Sequence, residues 1–414
     1  MHDPTATPAP TGAVFAGIDW ASADHAICVI DAAGTALWRH TVPHSRAGLA
    51  SLVTRLIELG VARVGIERPD GPVVEALLDA GLPVAVVPPR QVKNLRSRYR
   101  GAGKDDRFDA YVLADTMRTD GHRYTDLTRD TPATTGLRAL VRARQDLVEA
   151  RVGLVNQLRH TLELAFPGAV GLFFDLHSPI ARAFLRRFPT AAEAAALDQD
   201  TMAGWLTAEG YCGRTPAAVF IDRLRTAPAG LTGIEADARR HITLALLTTI
   251  DAIEDQAAEL TRRIKEALAR HPDAPIFTSL PRAGQIRAAA LLAEIGDARG
   301  RYPTADALAA AAGACPVTFE SGKHRAVGFR YAADAKLRRA LTDFADDSRH
   351  ANPWAADIYA RARDRGMRHP HAVRVLARAW TGVLWRCWQD SVPYDPARHG
   401  ALNRHLNQGA ATAA

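Results

Sequence analysis

VFAGIDWASADHAICVIDAAGTALWRHT, residues 14–41, holds three strand-length pieces in succession. Residues 14–18 are an apolar run that ends in Asp19; residues 25–30 and 35–41 follow, split by the turn Asp31-Ala-Ala-Gly34. Short apolar runs bounded by turn residues read as strands. Downstream the pattern becomes an alternation. Residues 49–59 have helical periodicity and end at Gly60; residues 61–66 read as a strand ending in Glu67. A helix over 73–80 and a strand over 83–87 come next, and residues 105–119 read as a last helix. Three strands in a row, then alternating helix and strand, predict a mixed sheet with helices on its faces.

The rest reads as helical, so the fold class is α/β plus all-α. Leu140, Leu147 and Leu154 recur at seven in a long helix that Pro167 breaks. In a second long helix over 236–270, Leu246, Ile250, Ile253, Ala257, Leu260, Ile264 and Ala267 form a heptad seam. The pair serves either as a dimerising strut or as a plain helix pair within one chain. Residues 168–235 read as several short helices without nameable chemistry. The expected division is a disordered leader (1–12), a first domain (13–128), coiled-coil helices with an insertion at 168–235 (129–271), a helical C-terminal domain (272–392) and a flexible tail (393–414).

The chain has 414 residues, 47% of them hydrophobic and 23% charged, the composition of a globular protein. No apolar run of about 18 residues is present, which excludes a membrane helix. The four cysteines form no C-x-x-C pair, which argues against a disulfide framework or a Cys-based zinc site and fits a reducing cytoplasm. The net charge of +7 suits a polyanionic partner. Only five of the 52 basic residues are Lys, a bias that a GC-rich genome explains, although Arg also suits forked contacts with phosphate.

Asp19 and Glu67 both end strands, and Asp106 and Asp109 lie three apart on one helix face. If the strands are neighbours, four carboxylates converge. Such a group is intolerable without cations, because like charges raise one another's pKa. Two Mg²⁺ ions, with Mn²⁺ able to stand in, would neutralise it and clamp a phosphodiester. The plain alternative is two strand-end acids and two solvated helix charges. Arg90, Lys93, Arg96, Arg98, Arg100 and Lys104 lead into the Asp pair with no acid between them, as a phosphate backbone would require. A second constellation starts at Ser321, in a loop-like basic stretch with Lys323 and Arg325, followed on a helix by Lys336, Arg338 and Arg339. A serine in such a loop can approach a phosphate; a linker serine is the plain reading.

These blocks together resemble the insertion-sequence 110 transposases, the serine-dependent, bridge-RNA-guided DNA recombinases. The resemblance runs from Gly17-Ile-Asp19 through Gly65-Ile-Glu67, "VAVVPPRQ" (84–91) and Lys104-Asp-Asp-Arg-Phe-Asp-Ala110. It continues in "LPRAGQIRAAALLAEIGD" (280–297), "AAAAGACPVTFESGK" (309–323) and "LRRAL" (337–341). It implies an RNase H-like, RuvC-like first domain whose Asp19, Glu67, Asp106 and Asp109 bind Mg²⁺. It implies Ser321 as the nucleophile that forms a covalent phosphoserine link, completing a composite centre. Donor and target double-stranded DNA, a structured bridge RNA and further copies of the chain, as a dimer or tetramer, would be the partners. The chain departs from the family after Asp19, where it reads Trp20-Ala-Ser-Ala, and at Pro281-Arg-Ala-Gly284.

Two rivals predict different products. A Holliday-junction nuclease of the same fold would use water and be indifferent to Ser321. A non-catalytic nucleic-acid-binding protein would keep its binding without Asp19.

Overall fold

The computed structural model describes residues 12–99, 105–321 and 324–413. The chain forms two compact units. One runs to Asp130 and includes Ala298–Pro303; the other comprises Thr131–Asp297 and the chain from Thr304 onward.

The first unit opens with β1 (Val14–Trp20), β2 (Asp24–Ile30) and β3 (Ala36–Pro43). The β2–β3 turn is tied by the Asp31 carboxylate, which accepts from the N–H groups of Ala33 and Thr35. Next come α1 (Arg46–Glu58), β4 (Val61–Ile66), α2 (Pro72–Asp79), β5 (Val84–Val86), α3 (Pro89–Arg96) and α4 (Asp106–Asp120). Ser45 caps α1 by accepting from Gly48 N–H at 3.1 Å, and Pro72 pre-sets the first turn of α2. The sheet order is β3-β2-β1-β4-β5, with β2 antiparallel to both neighbours and β1, β4 and β5 mutually parallel. This is the RNase H-like arrangement.

Side chains alternate across a sheet. Val14, Ala16 and Ile18, with Val64 and Ile66, pack into the core shared with Leu52 and Leu56 of α1 and Val73 and Leu77 of α2. The intervening positions face α4. There the sheet presents glycine: a Cβ on Gly17 would lie 2.0 Å from the Ala110 carbonyl oxygen, and one on Gly65 2.9 Å from that of Leu113. The helix thus rests on bare backbone, with Ala110, Leu113, Ala114 and Met117 buried beneath it.

The second unit is built on α5 (Pro132–Ala165) and, after α6 (Pro179–Arg187), α7 (Ala191–Ala195), α8 (Gln199–Ala208) and α9 (Ala217–Thr226), on α10 (Gly233–Ala269). Arg144 donates to Thr261 at 2.7 Å and Arg151 to Glu254 at 2.9 Å, so α5 and α10 run antiparallel. The seam residues Leu246, Ile250, Ala257 and Ile264 are buried, and the chain uses this seam internally. The short helices enclose a core of their own, in which Phe184 meets Phe166, Phe173, Phe188 and Trp205.

Then follow α11 (Ala274–Thr278), α12 (Gly284–Ile295), α13 (Ala305–Ala311), β6 (Val317–Ser321), β7 (His324–Gly328), α14 (Ala335–Ser348), α15 (Pro353–Asp364), α16 (His369–Gln389) and α17 (Gly400–Ala413). Trp380 and Trp388 are fully buried. Two expectations are corrected here. The stretch around Ser321 is not a loop: it ends one strand of a two-stranded antiparallel ribbon, with Ser321 opposite His324. Nor is 393–414 a flexible tail over the described residues, since Tyr394, His399 and Leu402 are buried and α17 follows. The Asn352 amide donates to the Tyr394 hydroxyl at 3.3 Å, and the Tyr394 hydroxyl and His399 Nδ1 lie 3.0 Å apart. Residues 1–11 of the expected leader (1–12) lie outside the described residues.

Candidate active site

The register pairs Gly17 with Gly65 and Ile18 with Ile66 in parallel strands. The next residues, Asp19 near the end of β1 and Glu67 just past β4, therefore lie at the same level, on the glycine face where α4 lies. α4 begins at that edge of the sheet with Asp106 and Asp109 in its first turn, where the helix dipole favours negative charge. All four acids line one cleft of about 650 Å³, together with Lys93 and Arg96.

The electrostatics express this convergence. The Asp19 carboxyl is pushed up to about 7, first by burial, then by the charges of Glu67, Asp109 and Asp106. Arg96 works the other way and pairs with Asp109 at 2.6 Å. Asp105, adjacent to Asp106, lines the same cleft, and its carboxylate caps α4 by accepting from Arg107 N–H at 3.2 Å. The donor set is carboxylate oxygen throughout, which suits a hard divalent cation better than zinc or copper. Among the described residues, no group of three or more His, Cys, Asp or Glu is placed so that it could hold a metal ion. The Arg96 guanidinium supplies the counter-charge at Asp109.

Several neighbours escaped the sequence reading. Trp20 and Arg68 directly follow the two strand-end acids, and the Arg68 guanidinium lies 4.4 Å from the centre of the indole ring. This cation–π contact links the ends of β1 and β4 beside the acids. The buried His25 Nε2 lies 2.9 Å from His44 Nδ1, and burial lowers the His25 pKa. Tyr99, between Arg98 and Arg100, donates to Asp115 at 2.5 Å and packs edge-on against Phe108 and Tyr111.

The basic candidates have varied fates. Lys93 faces the cleft. Arg96 and Arg98 pair with acids of α4, Arg98 with Asp120 at 2.8 Å. Arg90 lies in α3, with its side chain outside the described part; Arg100 and Lys104 lie outside the described residues. In the second unit, Ser321 ends β6 and Arg325 lies in β7, their side chains outside the described part; Lys323 lies outside the described residues. Lys336 and Arg339 line a hollow against α5, where Arg339 pairs with Glu149. Arg338 is held by the carbonyls of Ala312 and Arg330. No helix among the described residues is long and apolar enough to cross a membrane.

Comparison with known proteins adds to this geometry. A family model described as a transposase matches residues 16–167, and one described as the transposase IS116/IS110/IS902 family matches residues 274–360. The chain is similar to a Streptomyces coelicolor mini-circle protein assigned as a transposase for IS117, at 34% identity over 401 residues, 93% of this chain and 96% of that one. It is also similar to the uncharacterized 42 kDa protein of insertion element IS900 from Mycobacterium paratuberculosis, at 29% identity over 93% of this chain and 98% of that one. A solved structure of T. thermophilus RuvC with a Holliday junction substrate aligns at 18% identity with a TM-score of 0.23, covering 28% of this chain and 99% of that one.

Proposed function

Because the chain belongs to the IS116/IS110/IS902 family of transposases, we propose that this DNA-processing enzyme moves its element by strand exchange through Ser321, assisted by divalent cations at the cleft of Asp19, Glu67, Asp106 and Asp109. The observation that supports this reading most is the convergence of Asp19, Glu67, Asp106 and Asp109 on one cleft, with Asp19 raised first by burial and then by the charges of the other three.

Asp19, Glu67, Asp106 and Asp109 would hold the ions, Mg²⁺ first and Mn²⁺ as a substitute. Bound there, the cations would offset negative charge developing on the phosphodiester oxygens. Asp19 and Glu67 leave adjacent parallel strands and offer carboxylates from the sheet; Asp106 and Asp109 offer them from the helix. Lys93 adds positive charge where a phosphate would enter.

The Ser321 Oγ attacks the scissile phosphorus and gives up its proton to solvent. The bond from phosphorus to the deoxyribose oxygen breaks, and that oxygen takes a proton from solvent and leaves as a hydroxyl. The phosphoserine ester keeps the bond energy, so a hydroxyl from the partner strand can attack it, release Ser321 and rejoin the DNA without an external energy source. A structured bridge RNA pairing with donor and target would read sequence, delegating specificity to base pairing. Exchange of two strands needs at least two active sites, hence a dimer or tetramer.

The test incubates the full chain with Mg²⁺, the RNA encoded beside its element and matched donor and target DNA. An SDS-resistant protein–DNA adduct that is lost in both Ser321→Ala and Asp106→Asn is the expected result. Cleavage without an adduct, indifferent to Ser321→Ala, would replace this reading with that of a water-using nuclease.

A further inference from the structure

The second unit carries a cluster of guanidiniums that the cleft of the first does not use. Arg338 donates to the carbonyl oxygens of Arg330 at 2.8 Å and Ala312 at 3.3 Å. Its guanidinium carbon lies 4.5 Å from the centre of the Phe329 ring, and that of Arg374 lies 4.8 Å from the same centre. Gly313, at φ +63°, makes room: a Cβ there would lie 2.5 Å from Arg338 Nη2. Among the described residues no carboxylate pairs with Arg330, Arg338 or Arg374, whereas nearby Arg378 pairs with Asp306. Arg330 Nε is buried with no hydrogen-bond partner among the described residues. Burial and the charge of Arg338 together push the Arg374 pKa down. Cations this close are mutually repulsive unless an anion joins them.

Arg330, Phe329, His371 and Arg374 line a cavity of about 600 Å³ at the root of the ribbon. A second concavity on the α15–α16 turn shares His371 and Arg374 and adds Arg365 and Arg368. Among the described residues no acid lines either one. The result is a track of positive charge from the ribbon root across the turn.

We propose that this track holds the sugar–phosphate backbone of the DNA strand beside the bond that Ser321 cuts. The proposal rests on the Ser321 reading above and adds where the neighbouring phosphates bind. The ribbon sets the spacing. Val317, at its root, pairs with Gly328, and Ser321 lies four residues further along β6. At about 3.3 Å per residue the serine is ~13 Å from the root. DNA rises about 3.4 Å per nucleotide, so the track meets the cut strand about four nucleotides from the break.

The test measures binding of the full chain to a labelled random-sequence DNA duplex, and to a structured RNA hairpin, across a salt series. Each lost phosphate contact should make the log–log salt slope shallower by about 0.9. Arg365→Gln with Arg368→Gln, both on an exposed turn, should remove about two units of slope on DNA; Arg374→Gln about one; Arg374→Lys none. RNA binding should not change. Unchanged slopes on DNA, or an equal loss on the RNA hairpin, would overturn the proposal. Ser321→Ala should keep the full slope while losing the adduct. An adduct that persists in Ser321→Ala, alongside altered slopes in the Arg variants, would sink the nucleophile reading and leave the track standing.

Discussion

Arg96 and Asp109 meet at 2.6 Å between α3 and α4, the carboxylate side chain only 4% exposed. The pair neutralises one of four converging acids with a residue of the same chain. A cation entering the cleft must therefore compete with, or work beside, a guanidinium.

Arg96→Gln should destabilise the first unit by about 2–3 kcal/mol in EDTA, near the lower end for breaking a buried pair because Arg96 is partly solvated. With excess Mg²⁺ the loss should shrink, since the ion takes over the counter-charge. Urea melts in the two buffers measure the difference, and equal losses would count against a cation at Asp109.

Asp19 predicts a pH dependence. Its carboxyl is raised from 3.8 to about 7, so between those values the folded chain holds a proton that the unfolded chain has released. Stability from this group therefore falls as pH rises from about 4 to about 7. In EDTA, Asp19→Asn should flatten that slope and be more stable at pH 8 by about 1–2 kcal/mol, the full shift being discounted for partial solvation. Denaturation midpoints at pH 5 and pH 8 decide it; parallel slopes in wild type and variant would refute the assignment.

Gly17→Ala should cost about 3 kcal/mol, because its methyl would meet main-chain atoms of Ala110 and Ala114 that have no rotamer to give. Gly60→Ala is the comparison: its φ is +64° but nothing lies within 4 Å, so the cost should be about 1 kcal/mol of backbone strain. Thermal melts of both variants should rank them in that order.

Phe184→Ala should remove about 3–5 kcal/mol from the second unit, whose short helices gather four rings around this one. The pH signature of Asp19 should survive. Urea unfolding followed by Trp fluorescence and by the Asp19-dependent pH slope separates the two effects.

The first unit was legible because its strand-length runs are bounded by turn residues, and the acids at the ends of two of them, β1 and β4, marked Asp19 and Glu67. Asp106 and Asp109 followed from helical spacing. α3 was not legible: residues 89–96 are short and strongly polar, with Val92 and Leu95 alone to mark a buried face, so the sequence presents a row of bases and not the helix that aims Arg96 at Asp109. Asp120 gave no sign of being the partner of Arg98, since the pair is 22 residues apart and made by the fold. The ribbon escaped because residues 324–328 contain one strong strand former, Val327, and that residue is 65% exposed. The aromatic core at 166–220 has no period, and its rings find one another only through tertiary packing.

The seating of α4 on Gly17 and Gly65 has a further consequence. A helix held off a sheet by side chains sits at a height that drifts as those side chains are exchanged. A helix that touches main chain has no such adjustable shim, and its height is set by the thickness of the peptide backbone. The distance from the carboxylates of α4 to those of the strands is thereby insulated from repacking in the opposite half of the core. Leucines and valines there can be traded for others of like volume while the gauge of the cleft stays the same.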